Sequence, residues 1–359
     1  MSNSIFLLGF VAAGYLIAYY SYGRFLARRV FQSNDATPTP AHTKNDGTDF
    51  VPTSRAVLFG HHFSSIAGTG PIVGPAIGII WGWVPAVLWV MFGSIFMGAV
   101  HDFSALMISL RHEGLSIAEL SEKYMGVDIR RLFFIIVYLA LLIVIAIFGL
   151  VIAVIFAKFP ESVLPVWSQI PIAIATGIAM RRFPKAIIPI TILAVVALYS
   201  VVYLGQYVPF IMPVLSIGTW ELPATGTWTL LLLAYALIAS ILPVTTLLQP
   251  RDYINAWQLY IALGLMFLGL LVSGFSGNLP IVAPALQLNP VDAPPIWPFL
   301  FVTIACGAIS GFHCLVSSGT TAKQLDKESD ALPIGYGSML IEAFLATVMI
   351  IAVAAGIGM

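Results

Sequence analysis

Charge is scarce in this sequence. Asp, Glu, Lys and Arg make up 9% of its 359 residues, against about 25% in a soluble domain, which excludes an ordinary water-exposed globular surface. The net charge is zero and no long run of one sign occurs, so nothing points to a nucleic-acid partner. Cysteine is nearly absent as well. Cys306 and Cys314 are the only two, eight positions apart on one predicted helix and about 12 Å apart along its axis, beyond disulfide reach; free thiols are expected. There is no Walker A sequence, no GxSxG and no HExxH, which leaves ATP-driven transport, nucleophile-elbow hydrolysis and zinc-protease chemistry without support. No small-residue cleavage site follows Ile5–Tyr20 before Arg24, Arg28 and Arg29, so that stretch reads as a retained span rather than a signal peptide.

What fills the chain is apolar: 59% hydrophobic residues and a mean hydropathy of +0.97. This predicts an all-α polytopic membrane protein of about ten spans of about 20 residues each. Span 1 is expected at Ile5–Val30, followed by a polar loop, Gln32–Arg55. Span 2 covers Phe59–Ile80 and span 3 Val84–Leu110. A surface helix at Ser116–Tyr124 opens on a capping-box pattern, Ser116 to Glu119. Span 4 is read at Leu132–Ala157, a short span 5 at Trp167–Met180, and span 6 at Ala186–Leu204. A loop, Gln206–Thr227, carries Trp220 and Glu221, and Trp228 follows it, an aromatic-belt composition. Span 7 runs from Trp228 into Leu242–Thr246, where Pro243 and two threonines suggest a discontinuity, and Gln249–Asp252 ends it. Span 8 is Asn255–Ser273, a proline-rich loop follows to Ile296, span 9 is Pro298–Gln324 and span 10 is Ile334–Ile357. With the N-terminus outside, these boundaries put 15 of the 16 Lys and Arg residues on the inner side and only Lys158 outside. Such a bias supports both the number of spans and their direction.

The stretch that organises the rest is Leu58–Gly78, LFGHHFSSIAGTGPIVGPAIG. Pro71 and Pro75 each remove a backbone donor, and in hydrocarbon an opened backbone survives only where it lines a cavity. A broken span therefore points to a polar site near the midplane. Where the helix resumes beyond Gly68, Thr69 and Gly70, its amino end carries a positive dipole suited to a carboxylate. Close helix packing by small residues is the competing use of these glycines. Thr245 and Thr246, at the second discontinuity, complete the expected solute-binding set.

His101, Asp102, His313 and Glu342 lie inside predicted spans, with Glu342 nearer the inner end. A charged Asp at a span's centre is disfavoured by about 2.5–3.5 kcal/mol, so such residues face a cavity or a partner. With His61 and His62 at the mouth of span 2, they are the candidates for carrying a coupling proton. The plain alternative is that Asp102 pairs with His101 or with hydroxyls on a neighbouring helix. Three histidines without a carboxylate at helical spacing do not make a zinc site, so no metal and no cofactor are expected. Ser317, Ser318, Thr320 and Thr321 offer hydroxyls for a cation site, or for bonds to carbonyls one turn earlier.

The stretches LFGHHFSSIAGTGPIVGP, GSIFMGAVHDFSALMISLRHEG, LLQPRDYIN, FLFVTIACGAISGFHCLVSSGTTAKQL and ESDALPIGYGSMLIEAFLA resemble the carbon-starvation protein A (CstA) family, from Arg24 to Ala346. The resemblance implies kinship with the amino acid–polyamine–organocation superfamily and an inverted-repeat (LeuT-like) core, in which the first helix of each five-helix repeat is broken. Span 1 would be peripheral (5–30), the first repeat would occupy 59–204 and the second 228–357. Span 9 would bring Ser317 and Ser318 towards Gly68 and Thr69. Nine core helices instead of ten leave a second subunit, or further C-terminal helices, to supply the last.

The function these readings imply is a symporter of the cell inner membrane that takes up peptides or a small carboxylate such as pyruvate under carbon starvation. A proton is favoured over Na⁺ as the coupling ion. A membrane receptor that binds the solute without moving it is the alternative, although the sequence shows no attached soluble signalling domain; an intramembrane enzyme built on the histidines and Asp102 lacks a recognisable motif. The charge bias makes one direct prediction. In a chain freed of Cys306 and Cys314, Glu161→Cys should react with an impermeant maleimide added outside intact cells, and Asp46→Cys should react only after permeabilisation.

Overall fold

Backbone buried in hydrocarbon has to close its hydrogen bonds internally, and this chain does so almost wholly through helices. The computed structural model describes residues 3–217, 220–277 and 279–356; the expected end of span 10 at Ile357 lies outside them. Two units emerge, Met1–Ile117 with Asn255–Met359, and Ala118–Ile254. Among the described residues eight helices are long and apolar enough to cross a membrane, and a ninth crossing is a bent pair.

In the first unit, α1 (Ser4–Val30) is followed by the bent pair α2 (Arg55–Ile66) and α3 (Gly70–Trp81), then α4 (Trp83–Arg111). The pair bends by 44°, and the interruption falls at Ala67–Thr69, ahead of the two prolines. The prolines are thus not the break itself. Pro71 sits in the first turn of α3, where a missing amide costs nothing, and Pro75 is carried inside the resumed helix. Gly70, Gly74 and Gly78 form a strip of small residues along α3. A Cβ at Gly74 would strike the carbonyl of Thr303, and one at Gly78 the side chain of Ile304, so this strip is where backbones approach closely.

The expected span 9 is present only in pieces: α5 (Ile296–Thr303), α6 (Ala305–Ile309) and α7 (Phe312–Val316), then a wide turn at Ser317–Thr321 and a last turn at Ala322–Gln324. Residues Glu328–Gly356 form the last span, its long helix being α8 (Ser338–Gly356). Its central window is 67% buried, against 28% for α1, which makes it the core post of this unit. The polar loop after α1 folds on Asp46, whose Oδ1 accepts the amides of Thr48, Asp49 and Phe50 at 2.8, 2.9 and 3.0 Å. Those amides, Thr48's foremost, hold the carboxyl below the usual carboxylate range.

The second unit contains the surface helix Ile117–Met125 from its second residue on, then spans Val127–Lys158, Pro160–Arg182, Pro184–Gly205 and Ala224–Ile241. Three expectations change here. Span 5 is not short: its helix runs Val163–Arg182, 20 residues, because Pro165 falls in the first turn, where proline is tolerated. Gln206–Thr227 is not all loop, since Leu215–Ile217 pairs antiparallel with Trp220–Leu222. Gln249–Asp252 does not end span 7. That helix stops at Ile241, and the next begins at Leu248 and reaches Phe275, with Pro250 again in a first turn. The break expected inside span 7 at Leu242–Thr246 is instead the link, Leu242–Leu247, between two separate spans, Ala224–Ile241 and Leu248–Phe275.

Gly335, in the wide turn Leu332–Gly337 before α8, tests the close packing. A Cβ there would lie 2.9 Å from Phe103 Cα, backbone that cannot swing aside. Gly335→Ala is expected to cost about 1–3 kcal/mol, read as a lowered thermal midpoint in detergent. Gly9→Ala, with nothing within 4 Å, should leave the midpoint unchanged or slightly raised.

Candidate functional site

Four interrupted or widened elements meet in the first unit, and each delivers polar side chains to its interior. In α4 a wide turn at Ser94–Gly98 precedes His101 and Asp102; such π-type turns recur at functional sites. Asp102 is fully buried, while His101 is 45% exposed. Span 9 contributes His313 from α7 and α8 contributes Glu342, both fully buried.

These side chains form a line. Asp102 Oδ2 lies 2.8 Å from His313 Nδ1, and its Oδ1 lies 3.4 Å from His101 Nδ1. On the other ring edge, His313 Nε2 lies 3.3 Å from Glu342 Oε2. That contact is not aligned as a hydrogen bond, so His313 Nε2 and both Glu342 carboxylate oxygens are buried without a hydrogen-bond partner. The expectation that Asp102 pairs only with His101 or with nearby hydroxyls is therefore too narrow: its short contact is to His313. Glu342, discounted in the sequence for lying near a span's end, sits against the same imidazole.

The second histidine of the HH pair joins from α2. His62 is fully buried, with Nδ1 2.8 Å from Thr321 Oγ1 and Nε2 unpartnered. His61 is buried beside it. The hydroxyls of span 9 divide by role. Ser318 donates to the carbonyl of Cys314 at 2.7 Å and Thr320 to that of Val316 at 3.1 Å, both bonds one turn back. Thr321 is committed to His62, and Ser317 Oγ is buried without a partner.

The break glycines divide too. A Cβ at Gly68 would meet nothing within 4 Å, whereas one at Gly70 would overlap Cys306. Gly68 is exposed, and Thr69 and Gly70 are part-exposed, so the mouth of the break is open. Thr245 and Thr246 belong to the second unit and lie in its Leu242–Leu247 link, where the Thr246 amide donates to the Pro243 carbonyl at 2.9 Å.

Two features escaped the sequence reading. Cys306, taken as a bland thiol, gathers with His313 and Glu342 so that their ligand atoms lie within 4.8 Å of one another. The spacing of seven residues from Cys306 to His313 would signal one face of a continuous helix, but the real helix is broken between them, so spacing alone could not show it. Arg251, counted only as a basic flank, lies inside the first turn of its helix and is held by Asp252 at 2.9 Å and by Tyr235 Oη at 3.2 Å.

The arrangement makes His313 the group that holds two buried acids together. Removing one partner of a buried ionic set costs about 3–5 kcal/mol, so His313→Ala should markedly lower the thermal midpoint. Combining it with Asp102→Asn and Glu342→Gln should recover much of that loss, measured in the same detergent.

The profile described as "Carbon starvation protein CstA" matches residues 3–357. Among curated proteins, the chain is 39% identical to the "Peptide transporter CstA" of Campylobacter jejuni, over 97% of this chain and 50% of that protein. It is 40% identical to the one of Helicobacter pylori strain J99, over 97% and 51%. It is also 38% identical to the "Pyruvate/proton symporter BtsT" of Escherichia coli, over 94% and 47%. The chain thus spans about half the length of the curated relatives it matches. No solved structure matches it.

Proposed function

The chain belongs to the carbon starvation protein CstA family, and on that premise we propose that it acts in secondary uptake of a small carboxylate-bearing solute, peptide or pyruvate-like, driven by protons across the cell's inner membrane. The observation that carries this is the buried Asp102–His313–Glu342 line beside an interrupted span. A mostly apolar membrane helix bundle has no structural need for two carboxylates and an imidazole in its interior, and such groups mark ion and proton paths. Relatives named as peptide transporters and as a pyruvate/proton symporter support the same class.

In this reading the proton resides on the Asp102 set, with His101 as its part-exposed member and His62 with His61 serving the inner mouth. The solute carboxylate takes the amino end of α3 at Gly68, Thr69 and Gly70. Gly68 and Thr69 offer open backbone, while Gly70 also fixes the packing on Cys306. Thr245 and Thr246 line the link at Leu242–Leu247. A proton is favoured over Na⁺ as the driving ion because the buried Asp102–His313–Glu342 set can carry one; the hydroxyls of Ser317, Ser318, Thr320 and Thr321 remain the alternative cation site. The superfamily likeness has only the break at Ala67–Thr69 behind it, since Leu242–Leu247 links two separate spans. Helices beyond those present here, or a second subunit, would complete the carrier.

The test is uptake of labelled pyruvate and dipeptides into proteoliposomes, with and without an inward proton gradient. Gradient-driven accumulation is expected, and Asp102→Asn should abolish the response to the gradient while counterflow exchange persists. Full gradient dependence in that variant would remove the proton from Asp102. Binding without flux in the complete, folded protein would make it a receptor instead.

A further inference from the structure

One orphaned atom set remains. Both oxygens of the Glu342 carboxylate and His313 Nε2 are fully buried without a hydrogen-bond partner, and Cys306 Sγ stands over the same space. A buried carboxylate with neither oxygen bonded costs several kcal/mol unless something cationic meets it. His313 supplies that at one edge, yet its Nε2–Oε2 contact of 3.3 Å is misaligned. One ligand atom from each of the three residues lies within 4.8 Å of the other two.

We propose that Cys306, His313 and Glu342 form a site for a borderline-soft divalent cation of the zinc class, and that occupancy of this site arrests transport. The donor set is one thiolate, one imidazole and one carboxylate. Thiolate and imidazole together select zinc-like ions over magnesium or calcium. Bond lengths of about 2.0–2.3 Å place tetrahedral ligand atoms roughly 3.3–3.8 Å apart, so the observed spread of up to 4.8 Å closes by side-chain rotation. Asp102 completes the pattern from outside: its carboxylate holds Nδ1 of the ligating imidazole at 2.8 Å, which fixes the ring with Nε2 towards the metal, as carboxylates do behind zinc-bound histidines. Three protein ligands leave a fourth position open. Cys306 is part-exposed, which provides the way in.

Location supplies the consequence. Cys306 packs against Gly70 at the mouth of the break, His313 sits on a short helical fragment and Glu342 on the core post α8. An ion binding all three ties the interrupted segments together and occupies the acid of the proposed proton path. This regulatory part rests on the transport reading; the ion site does not.

The experiment titrates the purified chain with Co²⁺ as an optical probe and then with Zn²⁺. One Co²⁺ per chain is expected, with a thiolate-to-cobalt absorption band that Zn²⁺ displaces. Cys306→Ser should lose the band and bind at least tenfold more weakly, Glu342→Gln should weaken binding while keeping the band, and Cys314→Ser should behave as the parent. A band that survives Cys306→Ser, or no stoichiometric binding to the parent, overturns the site. Should Cys306→Ser fail to fold, the Glu342→Gln affinity decides. In proteoliposomes Zn²⁺ should inhibit uptake by the parent, and much less that of Cys306→Ser, each measured against its own zinc-free rate. Equal inhibition of both overturns the regulatory role. A cobalt band without gradient-driven uptake would reject the transport reading and leave the site standing; gradient-driven uptake without the band would do the reverse.

Discussion

Two buried carboxylates and the imidazole between them set the terms for the first unit. Moving an ion of that size from water to a low-dielectric interior costs on the order of 20 kcal/mol in the idealised limit, and several kcal/mol after relaxation. A bundle whose windows are otherwise apolar meets that cost only if the three groups are held together. Asp102 comes from α4, His313 from the fragments of span 9 and Glu342 from α8, so three separate segments are fixed by one electrostatic requirement. Span 9 leaves ideal helix geometry on both sides of α7, the fragment that carries His313 to Asp102.

Close backbone packing is the second constraint, and it explains how such broken segments remain ordered. Gly70, Gly74 and Gly78 let α3 lie against Thr303, Ile304 and Cys306; Gly98 admits the carbonyl of Ala308; Gly335 admits the backbone at Phe103. In lipid no hydrophobic gain drives apolar helices together, and contact has to come from shape and hydrogen bonds. The glycine strip on α3 therefore does the positioning, while the glycine left out of it, Gly68, stays open at the break. Within one motif, Gly70, Gly74 and Gly78 are committed to packing and Gly68 is not.

Much of this was legible in the sequence. Composition gave the membrane class, and the proline and glycine content of Leu58–Gly78 marked a broken span. What failed was local. Proline was read as the breaker at Pro71 and Pro75, yet Pro71 lies in the first turn of α3, where its missing amide has no role, and Pro75 is carried inside the helix. Span 9 was read as one helix, Pro298–Gln324, whereas it is broken at Ile304 and again at Ser310–Gly311, just ahead of His313. Glu342 was discounted by its distance along the chain from a span's centre, whereas its partner reaches it across the bundle. Cys306 was discounted because it was weighed only against Cys314, beyond disulfide reach, and not against His313 and Glu342.

The second unit carries a smaller version of the same logic, and the contrast defines what is special in the first. Arg251 is held by Asp252 and Tyr235. Its guanidinium and carboxylate are adjacent in sequence, and their bond is met within one helical turn. This pair anchors a helix end and calls on the preceding helix, through Tyr235 sixteen residues back. In the first unit the acid and its base are 211 residues apart, and the second acid still has both oxygens unbonded. That set satisfies itself only in part and is assembled from two long spans and one short fragment. A set that closes locally is suited to staying put. That difference in satisfaction, more than the mere presence of charge, is what sets Asp102, His313 and Glu342 apart from the other charged side chains described.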